Sequence, residues 1–222
     1  MPMACGAAPA DVSVTYRTSR GSRVTIEASS NGWGRVEEVG TSTQPVSYGL
    51  VTPDGRNLTV FRHGSRWVVA DAADYSGWPA RPNEPASSSS PQKHQFVAAG
   101  EEQIGSWRGQ AYQIRPTCGS RSSFVVMRGG GYEALENVLR KNLTYGATKA
   151  PGMPKCEFQA IKYMTDGLLL RADEMVLESV RRGKIDASRF KPPAPLLSRK
   201  ALFDLLGRNQ PLRLQAPSQT NR

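Results

Sequence analysis

Short stretches in which hydrophobic and polar residues alternate dominate the first third of the chain. The period of two begins at Val12, Val14 and Tyr16. It recurs in residues 24–28, 33–39, 46–51, 58–62 and 67–70. Turn-forming sequences separate these stretches, among them Asn31-Gly32 and Pro53-Asp54-Gly55. Because alternation at a period of two is typical of half-buried strands, residues 12–70 are predicted to form six antiparallel strands.

Further strands are predicted after residue 100. Glu101–Trp107 and Gln110–Arg115 flank Arg108-Gly109, which we interpret as a hairpin turn, and Phe124–Met127 is a short apolar run typical of a buried strand. Later in the chain the predicted strands are Phe158–Tyr163, Leu168–Ala172 and Met175–Arg182. The second half of the chain therefore also contributes mainly strands.

One segment has helical rather than strand periodicity. Leu135, Val138, Leu139 and Leu143 are spaced by three and four residues, and Tyr132 extends the same stripe towards the N-terminus. Charged residues occupy the other side of this segment. The pattern predicts an amphipathic helix over Tyr132–Leu143 that packs on the sheet.

These elements define a mainly β (α+β) fold. The expected architecture is a curved antiparallel sheet, or half-barrel, of about ten strands with one amphipathic helix packed on its concave face. Residues 1–11 are predicted to form an N-terminal tail, and residues 12–193 the half-barrel domain with a flexible Pro/Ser loop at 76–93. Residues 194–222 are predicted to form a short helix, Lys200–Leu206 after the cap Ser198, and a disordered tail.

Charge narrows the choice of partners. The 222 residues include 29 Lys and Arg against 19 Asp and Glu, a formal net charge of +10. Such a charge favours anionic partners such as phospholipid headgroups, although a merely solvated basic surface is an open alternative. The basic residues are spread along the chain rather than clustered in one stripe, which argues against nucleic acid.

Three cysteines carry further expectations. Cys118 and Cys156 are candidates for a disulfide in an oxidising compartment and would be free thiols in the cytosol. A small residue before Cys5 and Gly6 after it resemble the end of a bacterial lipoprotein signal, so Cys5 is a candidate for lipidation. The charged and hydrophobic parts of a signal peptide do not precede Cys5. The resemblance implies a periplasmic or outer-membrane-anchored protein.

The chain offers no catalytic signature. It lacks a Gly-x-Ser-x-Gly elbow, a P-loop lysine and His, Cys, Asp or Glu at metal-ligand spacing, and its two histidines, His63 and His94, lie at a turn and near the Pro/Ser loop. We therefore expect no enzyme, no cofactor and no metal.

An apolar ligand would need an apolar lining. The candidate lining residues are Tyr48, Phe61, Trp67, Trp107 and Tyr112 on strands, with Tyr132, Leu135 and Leu139 on the helix. The alternative is that these side chains simply fill the core, as strand aromatics usually do.

Four segments carry a family resemblance. They are residues 24–28 with 31–35, residues 50–55, residues 101–105 with 112–114, and residues 185–193. In these segments the chain resembles uncharacterised bacterial envelope proteins with the half-barrel fold of Lol-type lipoprotein carriers. The resemblance implies a non-enzymatic envelope protein that binds an acyl chain or a lipoprotein-like ligand in its half-barrel. The alternative is a structural or interaction module whose basic surface docks an anionic envelope component, an anionic membrane surface or a partner protein.

Overall fold

The structure is a computed structural model that describes residues 10–40, 47–76, 96–114, 122–149 and 161–206. These residues form eleven strands. The first six are β1 (Val12–Thr18), β2 (Arg23–Ala28), β3 (Gly34–Val39), β4 (Ser47–Val51), β5 (Asn57–His63) and β6 (Arg66–Asp71). The others are β7 (Phe96–Ile104), β8 (Trp107–Ile114), β9 (Ser122–Met127), β10 (Leu168–Ala172) and β11 (Met175–Arg182). The helices are α1 (Ala72–Ser76), α2 (Glu133–Lys149), the 3-10 helix Ala187–Phe190 and α3 (Arg199–Leu206), and residues 161–164 are also helical.

All eleven strands belong to one open antiparallel sheet. Their order is β6-β5-β4-β3-β2-β1-β11-β10-β9-β8-β7, so two meanders join where the first strand pairs with the last. The mainly β, curved half-barrel class predicted from the alternating pattern is confirmed, with eleven strands in place of about ten. Antiparallel strands need only short connections, which is why local turn chemistry could specify most of this order.

Helix α2 lies on a row of small and buried residues that crosses five strands. Direct pairing aligns Val12, Ala28, Gly34, Val51 and Asn57, and paired residues point to the same face of a sheet. A Cβ on Gly34 would lie 2.3 Å from the Val138 Cγ1 of α2. The absence of a side chain at Gly34 thus lets the helix approach the strands closely. We call this side of the sheet the helix face.

The opposite side, the strap face, is crossed by the chain after β11. The strap (residues 184–198) passes over Glu27 and Arg35, which are paired neighbours on this face. At the sheet edge the Leu197 N–H donates to the carbonyl of Val69 at 2.9 Å. Helix α3 then packs its buried Leu202 against Val68, which alternation places on the helix face. The strap therefore covers part of one face and its continuation covers part of the other.

The structure differs from the sequence-based expectation in two connections. The β7–β8 turn lies at Gly105-Ser106, not at Arg108-Gly109. Gly109 is instead buried inside β8, where a Cβ would lie 2.7 Å from the carbonyl oxygen of Val126. The predicted strand Phe158–Tyr163 is also wrong in its described part, since residues 161–164 are helical.

Several predicted features lie outside the described residues. They are the N-terminal tail as far as Pro9, including Cys5, most of the Pro/Ser loop, Cys118, Cys156 and residues 207–222. Short helix α1, which the sequence pattern did not indicate, precedes the undescribed part of the Pro/Ser loop.

The later part of α2 is fixed to the sheet edge by a carboxylate. The Tyr145 hydroxyl and the Ala73 N–H both donate to Asp71 Oδ1, and Arg56 donates to Oδ2 at 3.1 and 3.2 Å. Partial burial favours the neutral acid, but these hydrogen bonds and the Arg56 charge outweigh it and hold the pKa of Asp71 below its ordinary value. Burial and then Asp71 raise the pKa of Tyr145 to about 12.

We expect Tyr145→Phe to lower the free energy of unfolding by about 1.5 kcal/mol at pH 7, because a hydrogen bond to a charged group is lost. A lowered carboxyl pKa stabilises the fold above the unfolded value of about 3.9, and that stabilisation disappears as pH falls through the folded value. The difference between wild type and variant should therefore shrink from pH 5 towards pH 2 in urea titrations. Tyr48→Phe is the control, because Tyr48 makes no hydroxyl hydrogen bond within the described residues. If wild type and Tyr145→Phe differed in free energy of unfolding by the same amount at pH 5 and pH 2, the stabilising hydrogen bond of Tyr145 would not be to ionised Asp71.

Candidate functional site

Five of the eight candidate lining residues lie in the main core. Tyr132, just before α2, and Leu135 and Leu139, on α2 itself, are buried in this core. Tyr112 stacks on Phe124 of the neighbouring strand with ring centroids 5.2 Å apart. Trp107, at the start of β8, is half-buried against the same core.

The other three candidates lie elsewhere. Tyr48 and Trp67 make an edge-to-face contact with centroids 5.9 Å apart on the strap face, and the Arg35 guanidinium lies 3.5 Å from the Tyr48 ring centroid. Phe61 belongs to a separate cluster that includes Leu202 of α3. The eight side chains are thus divided among three clusters and two faces rather than gathered around one space.

The contact between α2 and the first meander is close. Leu135 and Val138 have no exposed surface, and Val138 occupies the space that a side chain on Gly34 would need. Near the next turn of the helix, the Asn57 Nδ2 donates to the carbonyl and side-chain oxygens of Asn142 at 3.2 and 3.0 Å. This part of the helix face is occupied by the protein's own side chains.

A cleft of about 510 Å³ opens instead where the strap begins. It lies at the end of the sheet, between the β2–β3 turn, the residue before β1 and the first half of the strap. Its lining residues are Asp11, Ser29, Ser30, Asn31, Trp33, Lys184, Ile185, Ala187, Phe190, Lys191 and Pro192. We call this space the strap cleft.

Asp11 joins the β2–β3 turn to the start of the strap through contacts with main-chain N–H groups. Its carboxylate accepts the N–H groups of Ser30 at 2.8 Å and Ile185 at 2.9 Å, and its carbonyl accepts the N–H of Gly183 at 3.0 Å. Burial opposes ionisation, but the backbone N–H groups and serine hydroxyls outweigh it and lower the pKa of Asp11. The negative charge of Asp11 is therefore already used to hold two chain segments together.

Arg189 fixes the middle of the strap. Its Nε donates to the two carboxylate oxygens of buried Glu27 at 2.7 and 2.9 Å, and Nη2 lies 3.4 Å from Glu37. Arg35 donates from Nη1 to the Arg189 carbonyl at 3.2 Å. The hydrogen bond to Glu27 and the charges of both carboxylates raise the pKa of Arg189 further above its ordinary value. The adjacent Phe190 is buried, so the strap is anchored by charge and by apolar contact.

Two lysines flank this anchored region without an ion pair to any described residue. Lys184 and Lys191 are exposed and lie before and after the 3-10 helix. The acidic group nearest in sequence, Asp186, accepts the Ser188 N–H at 2.9 Å, and its pKa is lowered first by that bond and then more weakly by both lysines. Half-buried Trp33 supplies an aromatic wall. The strap cleft thus combines two available ammonium groups with an apolar surface.

The side chains of the strap cleft are suited to binding a ligand. Among the residues described, no group of three or more His, Cys, Asp or Glu is placed to hold a metal ion. No helix in the described part of the chain is both long and apolar enough to cross a bilayer. The strap cleft is lined by ammonium groups, an amide, hydroxyls and the Asp11 carboxylate, which already accepts two backbone N–H groups. The ammonium and amide donors can bind an anion or a polar acceptor.

Sequence reasoning missed the lysines of the strap cleft and Trp33. A signal was present, because residues 181–200 contain seven basic residues and one acidic residue. The interpretation that the basic residues are spread along the chain overlooked this local excess. The proximity of the strap to the β2–β3 turn could not be inferred, since those segments are about 150 residues apart.

Comparison with known proteins assigns no function. No protein-family model matches the chain, and no curated protein matches it significantly. One similar solved structure is described as an uncharacterized conserved protein from Thermus thermophilus. It is 9% identical, with 85% of this chain and 90% of that chain covered and a TM-score of 0.45. The resemblance to Lol-type carriers therefore stays a prediction.

Proposed function

We propose that this chain is a non-enzymatic module of the bacterial cell envelope that docks on an anionic phospholipid surface through the strap cleft. The observation that carries the proposal is the pair of exposed lysines, Lys184 and Lys191, beside Trp33 in a preformed opening. Lysine and tryptophan are the side chains that favour the boundary between water and lipid. Each lysine near an anionic membrane contributes about 1 kcal/mol to binding.

No described carboxylate forms an ion pair with either lysine, although the charges of both lysines lower the pKa of Asp186. The undescribed segments are residues 1–9, 41–46, 77–95, 115–121, 150–160 and 207–222. Their Asp, Glu, Lys and Arg side chains give none of them a net negative charge. Charge complementarity therefore gives no reason for the chain to cover its own strap cleft.

The N-terminal sequence favours a membrane as the anionic partner of these lysines. Cys5, the candidate for lipidation, precedes Asp11 of the strap cleft by six residues, which can span at most about 20 Å. An acylated Cys5 would hold the strap cleft near the lipid headgroups. One acyl anchor together with a basic patch provides the two signals that stable membrane attachment usually needs.

A ligand held between α2 and the sheet is the competing proposal. It would require α2 to leave the row formed by Gly34 and its paired neighbours, where Val138 is completely buried. Docking at the strap cleft requires no such movement. We therefore favour the surface site over the interior one.

Sedimentation with lipid vesicles tests the proposal. We expect the protein to bind vesicles of phosphatidylglycerol and phosphatidylcholine, and not vesicles of phosphatidylcholine alone. Lys184→Gln with Lys191→Gln should weaken binding about 30-fold, because two contributions of about 1 kcal/mol are lost. Raising the salt concentration should weaken wild-type binding as well.

The matched control is Arg20→Gln with Arg66→Gln. Both arginines are exposed, lie in or beside hairpin turns at the other end of the sheet, and carry the same total charge as the two lysines. The control should retain binding within about three-fold. Equal loss in both double variants, no preference for phosphatidylglycerol, or stoichiometric lipid that co-purifies inside the protein would each overturn docking at the strap cleft.

A further inference from the structure

We infer that the strap cleft holds the phosphate-bearing headgroup of a single phospholipid, rather than acting only as a charged surface. The inference rests on the proposed function and adds a defined ligand and stoichiometry to it. A diffuse electrostatic contact needs no cavity. A volume of about 510 Å³ is within the range of sites that enclose small molecules.

The polar groups of the strap cleft suit a phosphate. Lys184 and Lys191 both line the strap cleft and lie before and after the 3-10 helix, and the charge of each lowers the pKa of Asp186. The Asn31 Oδ1 accepts the backbone N–H of Trp33 at 3.4 Å, which leaves the Asn31 Nδ2 group as a donor. Phosphate oxygens accept several hydrogen bonds at once, whereas the Asp11 carboxylate in the lining already accepts the N–H groups of Ser30 and Ile185.

The apolar groups suit the part of a phospholipid that follows the phosphate. Trp33, Ile185, Phe190 and Pro192 line the same space as the lysines. The glycerol carbons and first methylenes of a lipid would lie on this surface and gain from leaving water. A free inorganic anion would make no use of this apolar surface, so the composition of the lining favours an anion attached to carbon.

The anchoring of the strap makes the site preorganised. Asp11 holds the strap at Ile185, and Glu27 holds it at Arg189, so the segment that carries Lys184 is fixed before any ligand arrives. Fixing the loop in advance lowers the entropy lost on binding. This geometry distinguishes the strap cleft from exposed lysines elsewhere on the surface.

Calorimetry with monomeric dihexanoyl phosphatidylglycerol tests the inference on the full chain. We expect saturable binding with one lipid per protein, displaced by soluble glycerol phosphate. Asn31→Asp places a negative charge in the strap cleft while keeping an acceptor for the Trp33 N–H, and it should weaken lipid binding at least about ten-fold. The matched control Asn137→Asp, on the exposed side of α2, should change it by less than about two-fold.

The outcomes separate the two proposals. Vesicle binding without monomeric lipid binding would overturn the headgroup site and leave surface docking in place. Binding of glycerol phosphate without binding of either lipid form would overturn the lipid as the source of the phosphate. Equal effects of Asn31→Asp and Asn137→Asp would place the ligand outside the strap cleft and overturn the inference.

Discussion

Replacing Gly34 with alanine should lower the free energy of unfolding by about 3 kcal/mol. The new Cβ would lie 2.3 Å from Val138 Cγ1 and 2.9 Å from Cγ2, both closer than carbon atoms can approach. Because the Cβ position is fixed by the backbone, no change of rotamer at residue 34 relieves the contact. Either Val138 must rotate, which leaves its own Cβ 3.1 Å away, or α2 and β3 must move apart. Overpacking of a close-packed core costs about 1–3 kcal/mol, and Val138 at this site has no exposed surface. Urea denaturation at pH 7 measures the loss.

Gly49→Ala is the matched control for Gly34→Ala. It makes the same change in the neighbouring strand β4, but its Cβ would have no neighbour closer than 3.8 Å. We expect a change of less than about 1 kcal/mol there. Val138→Ala should partly rescue Gly34→Ala, so that the double variant is more stable than the sum of the single effects by about 1–2 kcal/mol. Full additivity would show that the close approach of α2 to β3 is not the cause.

The strands of the first meander and the last hairpin were predictable because their information is local. Alternation and turn residues specify a strand within about six to ten residues, and neighbouring antiparallel strands need no distant contact to pair. β10 and β11 have the predicted bounds, Leu168–Ala172 and Met175–Arg182. The helical stripe beginning at Tyr132 also predicted α2, although the helix continues to Lys149.

The β7–β8 turn was predicted at the wrong position because glycine has two different physical roles in proteins. Glycine occurs in turns because it tolerates positive φ, and Gly105 has a φ of 58° there. Glycine also occurs where another chain approaches too closely for a side chain, as at Gly109 beside the Val126 carbonyl. The second role depends on a strand far along the sequence, so the local pattern Arg108-Gly109 could not reveal it.

The candidate site was harder to predict than the fold. Alternation groups residues such as Tyr48 and Leu50 on one face, but it does not say which face a helix will cover. The aromatic set therefore mixed residues from both faces and from three clusters. The strap cleft depends on the path of residues 184–198 across the sheet, which is set by the ion pair of Glu27 with Arg189 and by burial of Phe190. These are tertiary contacts with no local signature.

Arg189→Ala should release the strap and lower the free energy of unfolding by about 2–3 kcal/mol. Glu27 has a side chain only 7% exposed, and without Arg189 its charge would remain buried with no partner. Removing one partner of a buried ion pair lowers the free energy of unfolding more than removing an exposed pair does. Because Arg189 is itself half-exposed, the expected loss is smaller than for a fully buried pair. Hydrogen exchange should increase at residues 185–191 and in the β2–β3 turn, while the amides of β8 and β9 keep their protection.

Arg181→Ala is the control for Arg189→Ala, because it removes the same charge from β11 without any ion pair to a described residue. Arg181→Ala should leave hydrogen exchange at residues 185–191 unchanged. Since Arg189 itself does not line the strap cleft, its replacement affects lipid binding only through the position of Lys184 and Lys191. If Arg189→Ala freed the strap and yet preserved one-to-one headgroup binding, preorganisation would be irrelevant to the site. If hydrogen exchange of the strap amides did not change in Arg189→Ala, Phe190 and Asp11 would be sufficient to hold the strap in place. The ion pair of Arg189 with Glu27 would then contribute only to the free energy of unfolding.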